Sequence, residues 1–259
     1  MKINRYALTI VVSITLLTAC AGLNRPHDTI FQVSTIDALL AGLYDGDATI
    51  GEVSRHGDFG IGTFAALDGE MVLLDGSFYQ ITSDGNAHSV PSSLETPFCA
   101  VTFFEPDISF SVPQAVDYPG LQEYVGGRLP TENIFYAVRV QGTFDEIRVR
   151  SVPRQQKPYP LLLEVVKSQP VFTFNDVKGT LVGFVCPSYA EGVNVVGWHL
   201  HFIADDRRVG GHVLAFSAQN LAVTIDETPS FSLYLPTDAE FYGTDLSGDT
   251  KDAIKRVEK

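Results

Sequence analysis

Three of the six histidines in this 259-residue chain fall within residues 195–216, at His199, His201 and His212. Successive side chains on a strand alternate faces, so His199 and His201 share one face while Trp198, Leu200 and Phe202 take the other. The run Asp205-Asp206-Arg207-Arg208 offers a turn, after which residues 209–216 return as the second strand of a hairpin. A two-residue turn at Asp206-Arg207 sets His201 opposite His212, with Cβ atoms roughly 5 Å apart. Three imidazoles then converge on one face of a ribbon and leave other positions around a cation open to water or substrate. That is the ligand set of a catalytic metal site. Zinc leads because imidazole suits it, although iron, manganese, nickel and copper accept the same ligands.

The plainer alternative is a pair of histidines on the wet face of a sheet with a third nearby by chance. Against it, Trp198, Leu200 and Phe202 give the opposite face a core of its own, so the histidine face is expected to look onto solvent or a cleft. Gly197, Gly210 and Gly211 leave space around the rings.

Few other groups could do chemistry. Glu70 stands between two Asp-Gly turns with apolar neighbours on both sides, so its carboxylate requires a partner or a function unless the strand end is wet. Arg148 and Arg150 alternate with Val149 and share a strand face. Such a pair is either solvated or offers one guanidinium to a substrate carboxylate. His27, His56 and His88 lie in loop-like sequence and read as surface residues. The chain has no nucleophile elbow, phosphate-cradling glycine loop or dinucleotide fingerprint.

The elements that must position these groups are mostly strands. Ser34 or Thr35 caps a short helix through Leu43, and residues 48–55 suggest another helical turn. Strands are expected at 59–65, 71–74, 78–82, 87–90, 98–104 and 108–112, punctuated by Asp68-Gly69, Asp75-Gly76 and Asp84-Gly85. A helix over 118–125 precedes a hairpin of 134–141 with 144–152. The proline-rich stretch 153–160 is the expected domain boundary. Beyond it come a helix over 161–168 and strands at 171–174, 180–186, 195–203, 211–216, 221–226 and 231–235. The tail 250–258 has helical composition but little apolar face. The fold class is α+β, with two mixed or antiparallel β-sheet subdomains and a few helices, spanning 34–152 and 153–259.

The first residues are of a different kind. Lys2 and Arg5 precede an apolar run over 6–17, too short to span a bilayer as a stable helix, so 1–19 reads as a signal peptide. Leu17-Thr18-Ala19-Cys20 resembles the lipobox of bacterial lipoproteins, which makes Cys20 the expected lipidation site, with plain cleavage and secretion as the alternative. Residues 20–33 would then be a tether from a periplasmic or cell-surface membrane anchor. Cys99 and Cys186 remain as a pair or as separate buried thiols, with separate thiols favoured in a core this large. With 18 Lys and Arg against 31 Asp and Glu, the net charge is −13, which argues against a nucleic-acid partner.

Together these pieces resemble the bacterial α-acetolactate decarboxylase family. The resemblance rests on Gly57-Asp58-Phe59-Gly60-Ile61-Gly62-Thr63-Phe64 running on through Leu67-Asp68-Gly69-Glu70-Met71 to Asp75-Gly76-Ser77-Phe78-Tyr79-Gln80. It continues in Ile147-Arg148-Val149-Arg150-Ser151-Val152-Pro153-Arg154-Gln155 with Lys157-Pro158-Tyr159-Pro160, and in Gly197-Trp198-His199-Leu200-His201-Phe202 with Gly210-Gly211-His212-Val213-Leu214. It implies a two-part sheet-rich fold and one Zn2+ per chain held by His199, His201 and His212. It also implies a homodimer and conversion of the small-molecule substrate 2-acetolactate to acetoin and CO2, a step of acetoin and butanediol formation, through a metal-stabilised enediolate. By the same resemblance Glu70 and Arg150 are catalytic, Arg150 and Thr63 bind substrate, and Glu258 is a second acid, although the tail around Glu258 carries little motif. Either Glu70 or Glu258 would deliver the proton.

Two rivals belong to other classes. A His-x-His with a distant third His also fits a cupin-like metal-dependent oxygenase or isomerase, but Asp205 follows where the acid should stand and the second cupin motif is missing. A lipid-anchored metal- or ligand-binding protein without catalysis fits the export signal and the acidity equally well.

Overall fold

Tight turns set the first sheet. Asp75 and Gly76 both adopt positive φ, 51° and 75°, the geometry that a two-residue hairpin turn demands, and Leu74 pairs directly with Ser77 across it. The computed structural model describes residues 28–258. The expected signal peptide, Cys20 and His27 lie outside the described residues.

In chain order, β1 (Thr29–Val33), α1 (Ile36–Leu40), β2 (Ala48–Thr49) and α2 (Ile50–Val53) precede a meander of β3 (Phe59–Thr63), β4 (Glu70–Leu74), β5 (Ser77–Ile81) and β6 (Ala87–Ser89). β7 (Glu95–Thr96), β8 (Cys99–Thr102), β9 (Ile108–Val112), β10 (Val116–Asp117) and α3 (Tyr118–Gly126) follow. Then come β11 (Phe135–Arg150), α4 (Leu162–Val165), β12 (Val171–Cys186), β13 (Gly197–Ala204), β14 (Gly210–Thr228), β15 (Ser230–Tyr234), α5 (Ala239–Gly243) and α6 (Lys251–Val257).

Two large sheets result. The first has seven strands in the order β15-β1-β8-β3-β4-β5-β6. In the second, β11 pairs with both β12 and β14, β12 pairs with β13, and β13 returns to β14, so the sheet closes on itself. Phe144, Ile147, Leu200, Phe202, Val213 and Phe216 fill its inside, and α3 adds Leu121 and Val125. Its other face meets the first sheet through Phe59, Ile61, Val72 and Ile81 against Val182, Phe184 and Ile203. A third apolar cluster joins α1, α4 and α6 around Ile36, Leu162, Ile254 and Val257.

The sheet-rich α+β class and the N-terminal meander agree with the sequence reading, but several boundaries change. The tether expected through residue 33 ends earlier, because Thr29–Val33 is a strand inside the first sheet. Neither sheet respects a division at residue 153. The first sheet takes β15 from the C-terminal half, and the second takes β9, β10 and β11 from the N-terminal half. Pairing across the whole chain outweighed the local proline signal.

The hairpin expected at 141–144 does not form either. Gly142 faces Gly179 within the continuous strand β11, and a Cβ there would stand 2.6 Å from Leu221 Cδ2. The glycine therefore permits a close approach of strands instead of a turn. β12 and β14, each expected as two separate strands, likewise run unbroken over 16 and 19 residues. Register shifts against β14 at Gln141/Thr143, Phe144/Glu146 and Arg148/Val149 take up the curvature as bulges.

Candidate metal centre

The hairpin forms in the expected register: His201 pairs with His212, Phe202 with Gly211 and Ile203 with Gly210. Leu200 and Phe202 point into the closed sheet, as the alternation requires. The histidine face looks onto a small cleft, as expected, and not onto bulk solvent, because Glu70 of the first sheet and Val257 and Glu258 at the chain end line it together with the rings. His199, His201 and His212 are 8%, 1% and 2% exposed. Each offers one ring nitrogen, and these three atoms lie within 4.8 Å of one another.

Local sequence explains why β13 can carry the rings at this depth. A Cβ on Gly183 of β12 would stand 1.9 Å from the His199 carbonyl oxygen, so only glycine lets the two strands pair there. From the first sheet, the Met71 carbonyl lies 2.7 Å from His201 Nδ1. A proton on Nδ1 donated to that carbonyl turns the lone pair of Nε2 toward the centre. Nε2 is buried with no hydrogen-bond partner among the described residues. An orphaned, oriented imidazole nitrogen beside two others is what a cation would satisfy, so the residues fit a metal.

Two carboxyls close the site. Glu70 begins β4, and its Oε2 is 3.5 Å from His201 Nε2. Glu258 follows the last residue of α6, and its Oε2 is 3.6 Å from His212 Nε2 and 3.9 Å from His199 Nε2. Arg150 lies between them, with Nη1 donating to Glu70 Oε1 at 3.0 Å and Nη2 to the Val257 carbonyl at 3.1 Å. Its Nε is buried without a partner among the described residues.

Electrostatics follow from burial. Loss of water pushes the Glu70 and Glu258 carboxyls up to about 7, although the Arg150 charge opposes this at both and the nearby Glu258 reinforces it at Glu70. Burial, aided by the Arg150 charge, drives His199 down to about 3 and holds His201 and His212 well below their ordinary value. The rings are therefore neutral, as metal ligation requires.

A cavity of about 40 Å³ lies among these groups. Ile36, Leu67, Phe98, Val152, Leu162 and Val257 give it an apolar wall. Half of that wall, Ile36, Leu162 and Val257, was invisible in the sequence, because α1, α4 and α6 are short and their meeting point depends on the fold. The Met71 carbonyl likewise carries no side-chain signal.

Thr63 takes a different place from the expected one. It pairs with Glu70 across β3 and β4, is 3% exposed, and donates its hydroxyl to the Gly69 carbonyl at 2.7 Å. Gly62, not Thr63, reaches the cavity, so Thr63 braces the turn that presents Glu70. Arg148 is exposed while Arg150 is buried, because the first sheet covers only the latter. His88 is exposed as expected, whereas His56 is half-buried and stacks on Phe31 at 3.8 Å. Cys99 and Cys186 are separate buried thiols.

The chain matches the family model for alpha-acetolactate decarboxylase over residues 30–248, a span that ends before α6 and Glu258. It is 50% identical over 229 residues to the alpha-acetolactate decarboxylase of Methylococcus capsulatus, covering 88% of each chain. Against that of Methanosarcina mazei it is 47% identical, covering 91% of this chain and 82% of the other. The crystal structure of alpha-acetolactate decarboxylase from Bacillus subtilis superposes with a TM-score of 0.86 at 41% identity, over 89% of this chain and 98% of that one.

Proposed function

The chain belongs to the alpha-acetolactate decarboxylase family and is an acetolactate decarboxylase, and from that premise we propose how its buried site carries out the reaction. The observation that carries the reading is the convergence of three neutral imidazoles between Glu70 and Glu258, with Arg150 reaching both sides. His199, His201 and His212 hold one zinc ion. When bound, the cation supplies a Lewis acid for charge developing on the ketone and hydroxyl oxygens of 2-acetolactate.

The remaining steps belong to the chain's own residues. Arg150 Nε, unpartnered and buried beside its two committed Nη groups, receives the substrate carboxylate and orients the bond to be broken. The apolar wall excludes water and accepts the methyl groups. Loss of CO2 leaves an enediolate, which a carboxylic acid must protonate on one face to give one acetoin enantiomer. Glu258 is the better donor on geometry. Glu70 accepts from Arg150 at 3.0 Å, which favours its carboxylate form, whereas no Arg150 N–H bonds the Glu258 side chain. Glu70 then keeps Arg150 in place.

Incubating the zinc-loaded protein with racemic 2-acetolactate and scoring acetoin and CO2 tests this reading. An oxygenase of the cupin kind would instead take up oxygen. The charged and apolar segment from Lys2 to Leu17, followed by Leu17-Thr18-Ala19-Cys20, supports export and lipidation at Cys20. Incorporation of labelled fatty acid, abolished by Cys20→Ser, tests that placement.

A further inference from the structure

The last helix is held at both ends, and the second hold lies outside the reaction site. α6 has seven residues, too few to be stable as an isolated helix, and chain ends fray unless tied. At its C-terminal end the Val257 carbonyl accepts from Arg150 at 3.1 Å. At its N-terminal end Thr250 occupies the capping position, yet its side chain makes no bond to its own helix. Its hydroxyl instead donates to Asp37 Oδ1 at 2.5 Å, across 213 residues of sequence.

Asp37 is an unusual acceptor. It is only 9% exposed and has no salt-bridge partner among the described residues, a costly place for a carboxylate without a function. Burial raises its pKa, and the Thr250 bond offsets part of that rise. The helix that carries it is fixed by the N–H groups of Ile36 and Asp37, which donate to Val193 and Gly192 carbonyls at 3.0 and 3.3 Å. Gly192, at φ +78°, leaves room for the carboxyl, since a Cβ there would stand 2.8 Å from Asp37 Oδ2. The ion pair of Lys251 with Glu191 at 3.7 Å is exposed on both sides and contributes little.

We infer that Asp37 is a positioning residue for the decarboxylation: by accepting the Thr250 hydroxyl it latches α6 across the cavity and keeps Glu258 at His199 and His212. The catalytic half of this inference rests on the role assigned to Glu258, while the latch itself stands on geometry alone. Thr250 and Asp37 do not line the cavity, so Thr250 acts on the site through α6; Asp37 is also the neighbour of the cavity residue Ile36, which makes the Thr250 variants the decisive probe of the latch.

The test uses the full zinc-loaded protein with Thr250→Val, Thr250→Ser, Asp37→Ala and the Thr250→Val/Asp37→Ala double variant. Two readouts are taken: trypsin cleavage after Lys255 and Arg256, followed by intact mass without substrate, and steady-state kinetics. Thr250→Val and Asp37→Ala should each speed tail cleavage and lower kcat by about tenfold, the equivalent of one charge-assisted hydrogen bond. KM and zinc content should hold, Thr250→Ser should restore both readouts, and the double variant should be no worse than either single change. If Asp37→Ala does not fold, the Thr250→Val and Thr250→Ser pair still decides. Wild-type cleavage and kcat in Thr250→Val, or additive effects in the double variant, would overturn the latch. Faster cleavage with unchanged kcat would also overturn its catalytic half, and absence of acetoin from the wild type itself would strike the functional reading alone.

Discussion

Arg150 Nη1 stands 3.0 Å from Glu70 Oε1, and the two side chains come from different sheets, 80 residues apart in the chain. Both are nearly inaccessible, at 5% and 7% side-chain exposure. The contact joins the meander to the closed sheet at the point where the histidines converge. A buried pair of this kind adds little net stability, but removing one partner strands the other charge. Its value lies in orienting Arg150.

Arg150→Lys should therefore cost about 100-fold or more in kcat/KM while zinc stays bound, because an ammonium cannot serve Glu70, the Val257 carbonyl and a carboxylate in one plane. Arg148→Lys, at an exposed position on the same strand face, should change little. Steady-state kinetics with metal analysis on both variants check this. Equal losses would mean that the substrate carboxylate is held elsewhere.

Glu258→Gln should keep zinc and substrate affinity but lower kcat by about 10²–10⁴, the usual worth of a positioned proton donor. Glu70→Gln should raise KM as well, since it frees Arg150. Chiral chromatography of the acetoin formed adds a second readout, because loss of the donor lets water protonate either face. Wild-type kcat in Glu258→Gln would return the donor role to Glu70.

The histidine register was legible because a strand's period of two and a turn at Asp206-Arg207 leave one pairing, and His201 does face His212. Glu70 was legible as a carboxylate among apolar neighbours, whereas only the family resemblance, and no local signal, separated Arg150 from Arg148. Long strands were not. Gly142 in β11 and the positive-φ Asn220 in β14 look locally like turns, and only pairing to both neighbours keeps those strands continuous. The tail was also opaque: Ile254 and Val257 make a thin apolar stripe, and α1 and α4 supply the surface that buries them. The role of Thr63 depended on a hydroxyl direction that no sequence period encodes.

Gly183→Ala tests whether strand approach limits the metal site. A methyl 1.9 Å from the His199 carbonyl must push β13 away from β12, at a cost of about 1–3 kcal/mol or more. Zinc affinity should fall together with the melting temperature, as read by metal titration and calorimetry. Gly248→Ala, which meets nothing within 4 Å, should be silent. Unchanged zinc affinity in Gly183→Ala would mean that β13 is not set by that pairing.

Asp226 makes the stability pH-dependent away from the site. It is fully buried, its Oδ1 has no partner among the described residues, and burial pushes its pKa up to about 7. The folded state then holds this proton more tightly than the unfolded chain, whose carboxyl titrates near 3.8. Stability contributed here is present below about 3.8 and is lost as pH rises toward 7. Asp226→Asn should melt at a temperature that pulls ahead of the wild type between pH 4 and pH 8. Parallel melting curves across that range would refute the assignment.

The most direct measurement is acetoin formation from racemic 2-acetolactate by protein stripped of metal and then titrated with zinc. The stripped protein should be inactive, activity should return with an endpoint at one zinc per chain, and His212→Ala should neither bind zinc tightly nor recover. Full acetoin production by a chain shown by mass spectrometry to be metal-free would contradict the account, because the three imidazoles would then have no part in the decarboxylation.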